Sequence, residues 1–460
     1  MNESRPLLAV VGTAYHTPTR DHLQVLGDVT IVVDQGGVIS DVHDSASRAA
    51  SDAIRQAHQV VRLTADQRLL PGLIDLHIHA PQWPQVGTGL DIPLERWLFD
   101  YTFPLEARYA DLHFADAVWG HMVPTLLAHG TTTAVYFSSV HERATQMLAE
   151  HCMRLGQRAY VGRVAMDHPQ GTPDWYRDAS PDAGIQASER SIQSIWAMAA
   201  GQSLVQPIIT PRFIPACSDQ LLVGLAELAA RTGVLVQTHC SESDWEHHIV
   251  LERFGQSDTA MLNEMGLLQP GTVLAHGNHL GDSDFDLISH AQSGVAHCPL
   301  SNSYFGNAVF PVRRALEHGV KVGLGTDVAG GAQPGLLAQS AMAVTASRML
   351  EDGVDPARSA GQRGSAQSRL DVVSAFHLAT AGGADVLGIP AGRLQVGCYF
   401  DAFVVDLASS RSGLRRWDGI DDESRLFEKI VRLAGPSDIN AVWVAGRQCS
   451  GASQVPTSTS

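Results

Sequence analysis

The sequence has few cysteines, a shortage of basic residues and no long apolar run, and each absence excludes a class of protein. The six cysteines among 460 residues are scattered and include no CxxC pair, so no disulfide framework is predicted. Lys and Arg number 32 against 48 Asp and Glu, and the resulting net charge of −16 argues against nucleic acid or an anionic membrane as a partner. No apolar run approaches the roughly 20 residues that cross a bilayer.

The composition fits a large globular protein. Hydrophobic residues make up 44% of the chain and charged residues 17%, which is enough apolar material for a sizeable core. The opening segment MNESRPLLAVVGTAY carries Glu3 and interrupts its apolar stretch at Gly12, so it is not expected to act as a signal peptide. We therefore expect a cytoplasmic location.

The two ends of the chain share one pattern. LLAVVGTAY, VTIVVDQGGVIS, DAFVVDL and INAVWVAGRQ alternate β-branched and apolar residues between glycine-containing turns, which is typical of short strands. They predict a small β-sandwich domain built from both termini, residues 1–70 and 395–448. The alternative is two unrelated β extensions. Residues 449–460 are small and polar and predict a flexible tail.

The middle of the chain, residues 71–394, alternates β-rich runs with helical spacing. In QLLVGLAELAARTG, for example, Leu221, Leu222, Leu225 and Leu228 line one face and Gly233 ends the helix. Eight apolar runs separated by helices predict a parallel (β/α)8 barrel of the TIM type, and a doubly wound open sheet is the alternative. The eight candidate strands are Ile74–His79, Thr131–Phe137, Ala159–Met166, Leu204–Thr210, Val234–His239, Thr272–His276, Gly294–Cys298 and Val322–Asp327.

Polar residues of metal-ligand type stand where four of these strands end. The first strand ends in DLHIH, and because residues two apart on a strand point to the same face, the imidazoles of His77 and His79 lie together. Later strands end at His239, His276 and Asp327. The strand ends of a parallel barrel meet at one mouth, where barrel enzymes place their active sites. A single histidine there is commonly structural, but four imidazoles and a carboxylate predict a divalent transition-metal site, such as Zn²⁺, with one position open to water.

Glu242 follows His239 by three residues, just past the end of its strand. A carboxylate there reaches the predicted metal water without ligating the ion, which suits a general acid/base. The alternative is a glutamate that caps the next helix.

Other histidines carry weaker expectations. His297, at the end of another strand, is expected to support the ligands or line the pocket. We expect the pair His247-His248 on a solvated helix face, and His121 and His129 in structural roles.

These residues, in this order, resemble the amidohydrolase superfamily and, within it, the guanine deaminase family. The resemblance runs from about residue 70 to residue 444. The HxH pair and the final Asp are common to many amidohydrolases, whereas HIHAPQ followed by DIPLERWL and PRF is far more discriminating. The matching segments are PGLIDLHIHAPQWPQVGTGLDIPLERWLFDYTFPLEARY, HGTTTAVYF, PRFIPACS, THCSES, AHG, GVAHCPLSNSYF and VGLGTDVAGG.

The resemblance implies roles for individual residues. One zinc ion per subunit would be held by His77, His79, His239 and Asp327, with His276 as a long ligand or as a partner of the metal water; iron is left open as the metal. Gln82, whose amide both donates and accepts, and Arg212 would bind the polar edge of a purine base. Phe213 would border the ring and Trp97 would form a pocket wall. The alternatives are a salt bridge for Arg212 and core packing for Phe213.

The resemblance also implies an activity: the hydrolytic deamination of guanine to xanthine and ammonia, in purine catabolism or salvage, by a homodimer. Glu242 would carry a proton from water to ring N3, and Asp327 would help to return a proton to the departing amine. Pro81, Cys240 and Asn307-Ala308 depart from the family pattern. Pro81 and the Asn307-Ala308 loop bear on the exact substrate, whereas strand alternation predicts that Cys240 faces away from the ion and is not a ligand. An aminohydrolase acting on 8-oxoguanine, a pterin or a triazine is one alternative, and a non-catalytic scaffold is another.

Overall fold

Strands and helices alternate through most of the computed structural model, which describes residues 5–201, 204–306, 308–408 and 413–451. The described strands are β1 (Leu8–Thr19), β2 (His22–Val33), β3 (Ile39–Asp44), β4 (Gln59–Arg62), β5 (Gln67–Pro71), β6 (Leu73–His79), β7 (Thr131–Phe137), β8 (Arg158–Gly162), β9 (Val164–Ala165), β10 (Val205–Pro207), β11 (Thr210–Pro211), β12 (Gln237–Cys240), β13 (Val273–His276), β14 (Gly294–His297), β15 (Lys321–Leu324), β16 (Ala402–Asp406), β17 (Ile439–Val444) and β18 (Arg447–Gly451).

The described α-helices occupy most of the connections between these strands. They are α1 (Arg48–Gln56), α2 (Leu94–Trp97), α3 (Phe103–Ala107), α4 (Leu112–Ala128), α5 (Glu142–Leu155), α6 (Pro181–Ala199), α7 (Asp219–Thr232), α8 (Asp244–Phe254), α9 (Asp258–Glu264), α10 (Asp282–His290), α11 (Pro299–Ser301), α12 (Val312–Glu317), α13 (Leu336–Asp352), α14 (Val372–His377), α15 (Gly383–Leu387) and α16 (Glu423–Leu433). Among the described helices, none is both long and apolar enough to cross a membrane.

Two parallel sheets in the middle of the chain join into a ring. One has the order β10-β8-β7-β6 and the other β12-β13-β14-β15. On one side they meet through the parallel bridge between Ile209 and Val236. On the other, the backbone N–H of Asp327 donates to the carbonyl of His77 at 2.8 Å, and that of His79 donates to the carbonyl of Val328 at 2.9 Å. The eight strands therefore close on themselves, as a (β/α)8 barrel requires, and an open sheet does not describe them.

The predicted strands differ from the observed ones mainly at their ends. The strand predicted over Ala159–Met166 is divided into β8 and β9, and the one predicted over Leu204–Thr210 is divided into β10 and β11. The last predicted strand extends to Asp327, but β15 ends at Leu324. The regular ladder ends there because the N–H of Thr326 donates to the side chain of Asp75 on β6, at 2.9 Å, instead of to a backbone carbonyl of that strand.

Helix α7 shows how the sequence pattern produces the helical layer. Its leucines at 221, 222, 225 and 228 are all buried, as the spacing predicts. Gly233 follows the helix with φ +70°, a left-handed conformation that suits glycine, and its N–H donates to the carbonyl of Ala229. The barrel strands behave as strands covered on both faces, since every residue of β6 and β7 is buried.

Strands from both ends of the chain share one sheet of eight strands, which includes β1–β5 and β16–β18. The two ends meet where β5 pairs antiparallel with β16, with Leu69 opposite Val404. The two ends of the chain thus form one sheet, as expected, and are not two unrelated β extensions. The treatment of this sheet as a separate β-sandwich with boundaries at 70 and 395 stays a prediction. The predicted tail begins too early, because residues 449–451 belong to β18 and pair with β17; residues 452–460 lie outside the described residues.

Candidate active site

The five predicted metal ligands converge at one mouth of the barrel. His77 and His79 end β6, His239 lies on β12, His276 ends β13, and Asp327 follows β15. Three overlapping sets of donor atoms each lie within 4.8 Å of one another: His77, His239 and His276; His77, His79 and Asp327; and Glu242, His276 and Asp327. The strand ends therefore bring together residues separated by up to 250 positions.

The shortest distances in this cluster join nitrogen and oxygen atoms that could share one ion. Nε2 of His77 lies 3.2 Å from Oδ1 of Asp327, and Nε2 of His79 lies 3.5 Å from the same oxygen. Nε2 of His79 lies 2.9 Å from Nε2 of His239. Four imidazoles and one carboxylate that face each other at these distances form the type of donor set that Zn²⁺ takes in catalytic sites.

Neighbouring groups fix which ring nitrogen of two histidines faces the cluster. Nδ1 of His239 donates to the backbone carbonyl of Arg212 at 2.5 Å. Nδ1 of His276 pairs with the side-chain oxygen of Asn302 at 2.9 Å. When Nδ1 carries the hydrogen, Nε2 keeps its lone pair for a metal, which is the usual arrangement around protein-bound zinc.

Several buried nitrogens in the cluster have no hydrogen-bond partner within the described part of the chain. These are both ring nitrogens of His77, Nδ1 of His79 and Nε2 of His276. Burial lowers the pKa of all four histidines in the cluster, most strongly for His77, His79 and His239, so the rings are neutral and their lone pairs are available. Leaving buried polar atoms unpaired is costly, and a bound cation would satisfy those that face Asp327, which are Nε2 of His77 and Nε2 of His276. The residues present therefore fit a divalent metal ion.

Glu242 lies beside the donor cluster and does not cap the following helix. Ser243 is the N-cap of α8, so the capping alternative for Glu242 is wrong. The backbone of Glu242 is held from both sides: its N–H donates to Glu246 at 2.7 Å and its carbonyl accepts from Asn278 at 2.7 Å. Burial, with the negative charge of Asp327 as a second cause, raises the pKa of Glu242 well above its ordinary value. The buried site therefore favours the protonated form of Glu242 more than water does.

Three residues of the site adopt a backbone conformation that side chains other than glycine rarely take. Ser241 has φ +50°, His276 has φ +77° and Asp327 has φ +47°. Such conformations persist only where the surrounding structure holds them, and they concentrate at functional sites. Here each turns the chain at the mouth of the barrel, next to Glu242 or within the ligand set.

Residues that the sequence analysis did not single out support the ligands. Asp75 accepts hydrogen bonds from the N–H and hydroxyl of Thr326, at 2.9 and 2.5 Å, and ties β6 to the segment that carries Asp327. Burial raises the pKa of Asp75 to about 7. The hydroxyl of Ser301 donates to Oδ2 of Asp327. Asp75 shares the DLHIH run with both predicted ligands, but no signal in the sequence points to Ser301.

A cavity opens beside the donor cluster. Its walls include Trp97, Phe213 and Phe305, and the predicted base-binding residues Gln82 and Arg212 also line it. The ring of Trp97 packs on Phe305 with centroids 5.1 Å apart. Phe213 is buried and packs on Trp245 at 5.9 Å, so it serves both the core and the pocket. The space combines apolar walls with a few polar groups, which is typical of a small-molecule site.

The two predicted base-binding residues share a partner that the sequence analysis missed. Arg212 forms a buried ion pair with Glu106 of α3, at 2.7 and 3.1 Å, so the salt-bridge alternative for Arg212 is found alongside its place in the cavity wall. Nε2 of Gln82 donates to the same carboxylate at 3.0 Å. Glu106 lies 24 positions from Gln82 and 106 from Arg212, and no spacing rule links them.

Among the described residues, the remaining histidines belong to none of these donor sets. His297 is buried, with its ring 5.5 Å from that of Phe310. His248 is exposed, as expected, but His247 is only half-exposed and stacks on His279 at 5.2 Å. His121 is exposed and accepts a hydrogen bond from the indole of Trp83, whereas His129 is half-buried.

Two of the three departures from the family pattern can be located. Pro81 is buried in the turn after β6, directly before Gln82. The thiol of Cys240 lies 3.5 Å from the hydroxyl of Thr259 on α9, away from the ligands, as strand alternation predicts. Asn307 lies outside the described residues.

A model of the amidohydrolase family matches residues 68–449, a span that contains the cluster, the cavity and the barrel. The chain therefore belongs to the amidohydrolase family. Within that family its full-length relatives are guanine deaminases. The chain is 37% identical to the probable guanine deaminase of Schizosaccharomyces pombe, over 96% of this chain and 83% of that protein. It is 33% identical to the guanine deaminase of Dictyostelium discoideum, over 95% and 97% of the two chains.

A solved structure gives the same answer for the fold. The crystal structure of guanine deaminase from C. acetobutylicum with bound guanine in the active site matches with a TM-score of 0.85 at 28% identity, over 96% of this chain and 99% of that chain. The likeness covers the barrel and the terminal sheet together. The architecture around the candidate site is thus that of a guanine deaminase.

Proposed function

We propose that this protein is a guanine deaminase, which hydrolyses guanine to xanthine and ammonia. The observation that carries the proposal is that one cavity is lined by both sets of residues the reaction needs: Glu242 and Asp327 for proton transfer, and Gln82 and Arg212 for binding the base. The full-length guanine deaminase relatives support the same substrate. The activity belongs to the hydrolases that act on the carbon–nitrogen bond of a cyclic amidine.

The donor cluster supports one divalent ion per subunit, with Zn²⁺ as the proposed metal and iron as the alternative. His77, His79, His239 and Asp327 would hold it, and His276 would complete its surroundings. When bound there, such an ion lowers the pKa of a coordinated water from 15.7 towards about 7.

The residues of the chain then divide the proton transfers between them. Water oxygen bonds to C2 of guanine while Glu242 takes a proton from that water and delivers it to ring N3. The raised pKa of Glu242 suits a group that must hold a proton between these two steps. Asp327 accepts the second proton and returns it to the amino nitrogen, the C2–N bond breaks, and ammonia leaves. His276, 3.7 Å from Glu242, orients the water during these transfers.

Recognition of the base rests on the polar groups and the apolar walls of the cavity. Arg212 and Gln82 would donate hydrogen bonds to the C6 carbonyl and N7, while Trp97 and Phe213 would border the flat ring. Since the charge of Arg212 is already balanced by Glu106, the cavity suits a neutral base and not an anion. The proposed substrate is the free base, and the proposed enzyme is a cytoplasmic homodimer. Sedimentation would test the oligomeric state, and cell fractionation would test the location.

Loss of guanine absorbance with stoichiometric release of ammonia tests the function directly. We expect the activity to disappear on chelation and to return with Zn²⁺. Parallel assays with 8-oxoguanine, a pterin and a triazine separate guanine from the related heterocycles: turnover of a pterin with inert guanine would contradict the proposal. A protein that binds no metal and turns over none of these bases even when Zn²⁺ is supplied would favour a scaffold.

A further inference from the structure

Glu106 holds both of the base-binding residues at once. Its carboxylate is fully buried and accepts four hydrogen bonds. Two come from Arg212, at 2.7 and 3.1 Å, and one comes from Gln82, at 3.0 Å. The fourth comes from the hydroxyl of Tyr176 at 3.0 Å. The ring of Phe103 supports the guanidinium of Arg212 from one face, with 4.9 Å between them. Glu106 faces the guanidinium and the amide, and it is not itself part of the cavity wall.

These contacts fix the orientation of the Gln82 amide. Nε2 donates to Glu106, and the side-chain oxygen accepts from the backbone N–H of Ala329 at 3.3 Å. A flipped amide would set its oxygen against the carboxylate of Glu106 and its NH₂ against the N–H of Ala329, so both contacts would become repulsive. The amide nitrogen of Gln82 therefore stays on the same side as the guanidinium of Arg212.

We propose that Glu106 is a positioning residue that holds Gln82 and Arg212 as hydrogen-bond donors toward the ligand, so that the cavity selects purines with an acceptor at C6 over purines with an amino group there. The proposal rests on the proposed function, because it assumes that a purine base occupies the cavity. Each fixed group has N–H donors left after binding Glu106: one on the Gln82 amide and three on the guanidinium of Arg212. The C6 carbonyl and N7 of guanine are both acceptors for these N–H groups. A 6-amino group is itself a donor, so it cannot pair with the N–H groups of Gln82 and Arg212.

The expected selectivity follows from the cost of unpaired buried groups. A site built to hydrogen-bond one polar group rejects an analogue that cannot pair with it by roughly 10⁴ in favourable cases. 2,6-Diaminopurine is a suitable competitor because it carries the same 2-amino leaving group as guanine and differs at C6 and in the proton on N1. Identification of its product as 6-amino-2-oxopurine by chromatography shows that the C2–N bond was cleaved, so the ratio of the two kcat/KM values reports recognition of the C6 edge.

Replacement Glu106→Gln tests the proposal. A neutral amide at this position can accept from one neighbour and donate to the other, so Gln82 is free to turn its oxygen toward the ligand. We expect the guanine to 2,6-diaminopurine ratio of kcat/KM to fall at least roughly 10-fold in this variant, since one reoriented hydrogen bond is at stake. Tyr176→Phe is the matched control: it removes one hydrogen bond to Glu106 without touching Gln82 or Arg212, and it should keep the wild-type ratio.

Glu106→Asp covers the case in which the neutral variant does not fold. It retains the charge that balances Arg212 but is too short to reach both residues, and it should lower the same ratio. If the wild type deaminates guanine while the ratio stays unchanged in every folded Glu106 variant, this inference is overturned and the proposed function stands. If the wild type does not deaminate guanine at all, the proposed function is the one that fails.

Discussion

Nε2 of His276 lies 3.7 Å from Oε2 of Glu242. Both groups are buried, and the backbone of Glu242 is held on one side by Glu246 and on the other by Asn278. Glu242, whose pKa is raised, is thus kept at a fixed position beside the donor cluster. It does not cap α8, because Ser243 does so. This arrangement is what a general acid/base needs, because proton transfer depends on position before it depends on pKa.

Replacement of Glu242 by Gln should abolish proton transfer while preserving the shape of the site. We expect kcat for guanine to fall by roughly 10²–10⁴ or more, because the amide cannot shuttle a proton. Metal content, measured by elemental analysis, should stay at the wild-type level. Steady-state ammonia release provides the rate.

The exposed Glu252 on the same helix offers a matched control, since its side chain is 69% exposed. Glu252→Gln should keep wild-type kinetics. Full activity in the Glu242→Gln variant would remove this residue from the mechanism.

Metal binding is predicted to depend on His77, whose two ring nitrogens have no hydrogen-bond partner among the described residues. His77→Ala removes a central donor, so we expect most of the metal and the ammonia-releasing activity to be lost together. His248→Ala, at a ring that is 74% exposed, should change neither. A stoichiometric metal ion in the purified His77→Ala protein would contradict this ligand assignment.

The sequence predicts those site residues that a strand pattern links to other site residues. His77 and His79 are paired by the two-residue period of β6, and the other ligands stand at strand ends, so the barrel topology alone brings them together. Glu106 is different. It lies on a short helix inside the long segment that matches the family, but its contacts with Gln82 and Arg212 arise only when separate segments pack, so the sequence assigns it no role.

The fold shows the same division. The apolar runs locate the barrel strands to within a few residues, because burial on both faces requires continuous apolar sequence. Where a polar side chain takes over a backbone hydrogen bond, as Asp75 does for Thr326, the strand ends earlier than its apolar pattern. Pairing between β5 and β16 joins segments more than 300 positions apart, and similar patterns at the two ends suggest it without specifying the register.

Asn278 should influence turnover through the position of Glu242. Its side-chain NH₂ donates to the backbone carbonyl of Glu242 at 2.7 Å, and Asn278→Ala leaves that buried carbonyl without this donor. We expect kcat to fall by roughly 10–10² with a smaller change in KM, because a displaced catalytic group affects the chemical step more than base binding. Steady-state kinetics with guanine would measure both constants.

Asn263, on an exposed position of α9, provides the comparison for this change. Asn263→Ala should leave kcat and KM unchanged. An equal loss of metal and activity in Asn278→Ala would point instead to a disturbed His276, two positions earlier, and would refute the positioning of Glu242 as the cause.

His297 should make stability depend on pH below neutrality. Burial lowers its pKa from 6.5 to about 3. The unfolded chain therefore binds a proton below pH 6.5 that the folded protein does not, so stability from this group is complete above that pH and is lost as the pH falls towards 3. Between pH 7.5 and 5.0 the loss amounts to about 2 kcal/mol in the free energy of unfolding.

His297→Phe removes the titrating group and keeps an aromatic ring next to Phe310, so urea unfolding at the two pH values should show a smaller difference for the variant than for the wild type, by about the same 2 kcal/mol. The other buried histidines are present in both proteins, and their contributions cancel in this comparison. His248→Phe, on the exposed face of α8, should retain the wild-type difference. If His297→Phe loses as much stability on acidification as the wild type does, the folded protein already protonates His297 at pH 5, and its ring is not as isolated from water as its burial indicates.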